Sequence, residues 1–241
     1  MSWHRWIGGL LLAVGLLASA QARQLLWVTA DITPAARTAL VARLAQAAGW
    51  QFRHVDHALT LPAGERALAR QRLGEAVGTA DMVWIDAPHA TPQALLADLF
   101  GEIRGGPPQV WITPEPGGDP LVDYLRHGGE ANVRAALTLA ARRLDGHAPA
   151  DALVGLPPPR AWPRQGIYLP GAPDFLPDAD ALGAWLDAHP SAAAQPAVAI
   201  LVHRHHFVDG DTGWLERWLA IFAARGLFAY AVFGQQLDGK G

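Results

Sequence analysis

Four consecutive residues, His203, Arg204, His205 and His206, close an apolar run, Ala197–Val202, and the acidic pair Asp209 and Asp211 follows directly. The run reads as a buried strand, so the cluster falls at a strand's carboxyl end, where open α/β sheets place their ligands. In an extended segment, alternate side chains share a side, so His203 and His205 are expected to point the same way. Two imidazoles and a carboxylate, His203, His205 and Asp209, suit a divalent metal ion. Arg204 offers a planar fork for a carboxylate or amide group of a ligand. The plainer alternative is a polar turn between strand and helix, with Asp211 or Thr212 as the N-cap.

A second candidate is Asp86 with Pro88 and His89, which follow the apolar residues Met82–Ile85. Asp86 and His89 sit where a ligand contact is possible, although a turn into the next helix is the preferred explanation. Asp31 and Thr33 admit the same two explanations. His54 and His57 flank Asp56 on a weak strand and read as a solvated edge. No Ser/His/Asp triad, spaced carboxylate pair or His-x-x-Glu-His-type helix motif is present. The chain has no cysteine, so disulfides, thiol catalysis and thiolate metal sites are excluded. Lys240 is its sole lysine, which excludes a Walker A loop. A net charge of −3 and 17% charged residues give no basic surface for nucleic acid.

The elements that must position these groups alternate along 241 residues. Strands are expected at Gln24–Ala30, Gln51–Asp56, Asp81–Ala87 and Gln109–Thr113. Helices are expected from Thr33-Pro34 to Ala48, over Gly64–Val77, from Thr91-Pro92 to Ile103, over Leu121–His127 and over Glu130–Leu144. Such alternation predicts an α/β fold with a parallel sheet covered on both faces. Residues 23–146 therefore read as a flavodoxin-like domain, 147–164 as a Pro-rich ordered linker, and 165–241 as an incomplete second α/β domain. Trp27, Trp84 and Trp111 are expected in the core, and Trp214 and Trp218 share a helix face that reads as buried contact.

Residues 1–22 have the three parts of a signal peptide: His4 and Arg5, the eleven-residue apolar run Ile7–Leu17, and small residues at Ala18, Ala20 and Ala22. An exported, periplasmic protein is the expectation. Membrane attachment would come only through an uncleaved leader, which is short for a span.

Three patches resemble one family. They are Gly166-Ile167-Tyr168-Leu169-Pro170; His203–His206 followed by Gly210-Asp211-Thr212 and Ala224-Arg225-Gly226-Leu227; and Tyr124-Leu125-Arg126-His127-Gly128-Gly129-Glu130-Ala131-Asn132-Val133. Together they resemble the amino-terminal region of the cobalt chelatase large subunit (CobN), relative of the magnesium chelatase H subunit. Leu169 stands where that family usually has His, and Ala131 where it usually has Glu. The resemblance implies a subunit that binds a tetrapyrrole and a cobalt or magnesium ion for metal insertion in cobalamin-type biosynthesis. It implies no cofactor of this chain's own, with ATP used by separate AAA+ ATPase partner subunits. It also implies that the family's main metal- and macrocycle-handling residues lie past Gly241. The leader favours a different class, an exported module that binds a tetrapyrrole or metal complex without catalysis.

Overall fold

The computed structural model describes residues 22–101, 103, 105–113, 118–172 and 174–234. The leader, expected over residues 1–22, lies outside the described residues except for Ala22. Among the described residues no helix is long and apolar enough to cross a membrane.

Four strands, β1 (Gln24–Ala30), β2 (Gln51–His57), β3 (Met82–Asp86) and β4 (Gln109–Ile112), form an all-parallel sheet in the order β2-β1-β3-β4. Helices α1 (Ala35–Ala47), α2 (Ala63–Val77), α3 (Ala90–Phe100), α4 (Pro120–His127) and α5 (Gly129–Leu144) cover it. Alternation along the strands divides the core. Leu25, Trp27, Met82 and Trp84 bury against α1, α4 and α5. Leu26, Val28, Val83 and Ile85 bury against α2 and α3. Trp27 and Trp84 meet edge to face at 6.2 Å, whereas Trp111 is only half-buried and packs on Phe100 at 5.6 Å. The expected flavodoxin-like sheet is therefore observed, with its strand order reversing between β1 and β3.

A short helix, α6 (Pro149–Leu153), leads into the proline-rich crossover, which is tied down along its length. Tyr124 Oη donates to the carbonyl of Pro157, and the Asn132 side chain both donates to the Arg160 carbonyl (2.8 Å) and accepts from the Arg160 N–H (2.9 Å).

The second sheet is mixed. Strand β5 (Gln165–Tyr168) runs antiparallel to β7 (Phe228–Gly234), and β7 runs parallel to β6 (Ala197–His203), in the order β5-β7-β6. Helices α7 (Ala179–Asp187), α8 (Pro190–Ala193), α9 (His205–Val208) and α10 (Gly213–Ala223) complete it. An aromatic cluster of Tyr168, Phe175, Phe207 and Phe233, with centroids 4.7–6.1 Å apart, packs on one face. Trp218 does not join a core as its spacing suggested. It is 52% exposed, because α10 buries Leu215 and Leu219 instead.

Candidate ligand-binding site at the carboxyl ends of the strands

Strand β6 ends at His203, where the Arg204 N–H donates to the carbonyl of Gly234 at 2.9 Å and ties the carboxyl ends of β6 and β7 together. Arg204 is already helical (φ −51°, ψ −32°), and α9 follows at once. The extended geometry expected through His205 is therefore absent. The helical turn nevertheless brings the same two imidazoles together: Nδ1 of His203 and Nδ1 of His205 lie 2.6 Å apart, and the His205 backbone N–H donates to His203 Nδ1 at 3.2 Å. The His206 ring lies 4.1 Å from that of His205 and meets Trp214 edge-on at 5.2 Å, with Nδ1 3.2 Å from Asp211 Oδ2. Burial, then the neighbouring His206 and His203, lower the His205 pKa below its ordinary value, against an opposing pull from Asp211.

Asp211 thus pairs with His206 and caps nothing. Thr212 occupies the N-cap of α10 without a side-chain cap bond, its hydroxyl donating to Glu216 Oε1 at 3.2 Å. Arg204 turns toward the crossover, where its guanidinium donates to the carbonyls of Pro163 (2.8 Å) and Trp162 (3.1 Å). The grouping of His203, His205 and Asp209 around one ion is not what the fold builds. Asp209 is buried and faces Arg37 (3.4 Å), and among the described residues no three His, Asp or Glu side chains gather to hold a metal ion.

Asp86 is likewise committed to the protein. It is buried at the end of β3, accepts from Thr33 Oγ1 at 3.2 Å, and has Arg37 Nε 3.1 Å from its Oδ2. That last approach is a charge contact rather than an aligned hydrogen bond. Arg37 also donates to the Leu125 carbonyl at 3.0 Å and lies over Trp27, its guanidinium carbon 6.0 Å from the ring centroid. One guanidinium therefore holds Asp86 of the first sheet and Asp209 at the end of α9, and fills the switch point of the parallel sheet with protein. Burial pushes the Asp209 pKa up, partly offset by the Arg37 charge and hydrogen bond. His89 stands exposed at the N-cap of α3, with no side-chain cap bond. Of the candidate residues, His203, His205 and His206 come together beside Asp211, while Asp86 and Asp209 share Arg37.

Residues 122–241 match the family model described as CobN/Magnesium Chelatase. The chain belongs to this family. Among solved structures, the Catalytic Subunit of Cobaltochelatase from Mycobacterium tuberculosis shares the fold, with a TM-score of 0.53 at 18% identity. The alignment covers 91% of this chain and 17% of that one, so the chain spans about a sixth of the length of that relative. No curated protein sequence matches.

In this CobN/magnesium chelatase chain, the Tyr124–Val133 patch has a mechanical role. Gly128 adopts φ 63° and ψ −163°, a combination open essentially to glycine alone. A Cβ there would stand 2.6 Å from the Val208 carbonyl oxygen, and one on Gly129 would stand 2.6 Å from the Trp162 ring. Asn132 Nδ2 also donates to the Gly128 carbonyl at 2.7 Å. The patch thus seats the crossover and α9, which carries His205 and His206. Arg37, Asn132 and Trp162 did not stand out in the sequence as site-forming residues. Asn132 appeared only within the Tyr124–Val133 patch, and Arg37 left a trace in preceding Leu40, Val41 and Leu44 on the buried stripe of α1.

Proposed function

We propose that this chain is the amino-terminal part of a chelatase large subunit that binds a tetrapyrrole and takes part in inserting cobalt or magnesium, in cobalamin-type biosynthesis. The family match over residues 122–241 carries this reading. The imidazole cluster of His203, His205 and His206, at the carboxyl ends of two parallel strands, supports it as a ligand contact. As the family resemblance implies, hydrolysis of ATP falls to separate AAA+ subunits; the 241 residues themselves hold no Walker A loop, their sole lysine being Lys240. Titrating the full chain with metal-free protoporphyrin, followed by fluorescence, tests the macrocycle-binding step. Saturable binding is expected, and a flat titration would remove it.

The leader-like residues 1–22 favour a second reading, an exported tetrapyrrole- or metal-complex-binding module without catalysis. Amino-terminal sequencing of the secreted product separates the two: a start at Gln21 or Arg23 supports export, and an intact Met1 in the soluble cell fraction counts against it.

A further inference from the structure

We propose that His205 is the axial ligand, through Nε2, of a metal ion held in a tetrapyrrole, and that His203 is the residue that positions it; this rests on the macrocycle-binding function proposed above. The assignment follows from where the protons must be. The His205 backbone N–H donates to His203 Nδ1 at 3.2 Å, so that nitrogen carries a lone pair. His205 Nδ1 stands 2.6 Å from the same nitrogen. Two lone pairs cannot face each other at that distance, so His205 Nδ1 carries the proton and donates. A neutral imidazole has one N–H, and the lone pair of His205 is therefore on Nε2. His205 is exposed, and its Nε2 has no hydrogen-bond partner among the described residues.

A ring nitrogen whose opposite N–H is anchored, with tautomer and orientation fixed, is the arrangement metal-ligating histidines use. His206 also has its Nδ1 anchored, on Asp211, but it is only part-exposed with its ring edge-on to Trp214, so the exposed His205 is the imidazole open to a macrocycle. Its ring beside His205, at 4.1 Å, restricts rotation of the ligating imidazole. One imidazole is too few to retain a bare ion, in keeping with the lack of any three-residue ligand group among the described residues. A macrocycle supplies the in-plane nitrogens itself and leaves only axial positions to fill. The ligand class is accordingly a metallotetrapyrrole and not a free cation.

The test uses the full chain with two probes, cobalt(II) protoporphyrin without oxygen and metal-free protoporphyrin. Electron paramagnetic resonance of the cobalt complex reports one axial nitrogen as a triplet splitting of the cobalt lines. The wild-type chain is expected to show the triplet, and His205→Ala to lose it while still binding metal-free protoporphyrin. His206→Ala should keep it. His203→Ala should weaken binding of the cobalt probe by roughly 10- to 100-fold, and His203→Asn, whose amide oxygen can accept both N–H groups, should restore most of that loss. Thermal melts of each variant matching wild type show that the effect is not unfolding. A triplet that persists in His205→Ala overturns the inference, as does wild-type binding of both porphyrins without a triplet; either result leaves macrocycle binding standing. Failure to bind either porphyrin overturns both.

Discussion

Asp209 is the residue whose chemistry the fold alters most plainly. It is buried with Arg37 on one side, and Asp86 and His206 also act on it. Burial raises its pKa above the ordinary 3.8, so the folded chain keeps this proton at pH values where the unfolded chain has lost it. At this residue the folded state then binds more protons than the unfolded state, and the contribution of Asp209 to stability falls as pH rises from 3.8 to the raised value. Asp209→Asn removes that titration and is expected to flatten this part of the curve. Denaturant midpoints measured against pH for both proteins check it; an unchanged descent in the variant would assign the slope to another group. The same residue shows why type and spacing misled. Asp209 follows His206 closely in sequence and suits a metal, yet its carboxylate is spent on an arginine far away in the chain.

At the scale of elements, the controlling piece is the break between α4 and α5. Gly128 and Gly129 both take positive φ, and each approaches a neighbour too closely for a side chain. Gly128→Ala is expected to cost at least about 1–3 kcal/mol from backbone strain alone, with a further cost from the displaced Val208 carbonyl. Asn132→Ala leaves the Gly128 and Arg160 carbonyls and the Arg160 N–H without their partner and should cost a similar amount, about 1–3 kcal/mol. Chemical denaturation measures both. A change below about 0.5 kcal/mol, the range of ordinary surface substitutions, would mean that the crossover does not depend on this patch. Most elements were legible locally. Strands β1 to β4 and helices α1 to α5 fall within a few residues of where apolar periodicity and proline place them. The misses were the short helices α6, α8 and α9, each about one turn long and too short to leave a periodic pattern.

For the molecule as a whole, Arg37 links the two sheets. Its guanidinium touches Asp86 on the first sheet, Asp209 at the end of α9 beside the second, and the Leu125 carbonyl near the glycine break. Removing it would leave two buried carboxylates without their cation, and loss of one partner from a buried pair costs about 3–5 kcal/mol. Arg37→Ala is therefore expected to lower stability by that order and to loosen the second sheet from the first, seen as faster hydrogen exchange around α9. Arg37→Lys should recover only part, since a point charge cannot address two carboxylates and a carbonyl together. A variant with wild-type stability and exchange would show that the sheets are held by apolar contact alone.

The sequence by itself determined the alternation of strands and helices, the parallel first sheet, the glycine break and the family patches. Each depends on residues within a turn or two of one another, where periodicity, φ preference and side-chain type act directly. It also placed His203, His205 and His206 in one cluster, since they are adjacent in the chain. Only the tertiary structure decided what the polar groups do. Arg37 meets Asp86 across 49 residues and Asp209 across 172, and Arg204 meets the Trp162 carbonyl across 42. A buried charge takes whichever opposite charge or carbonyl the fold brings within reach, because burial without a partner is costly. That choice is made in space, where residues remote in sequence compete on equal terms with neighbours.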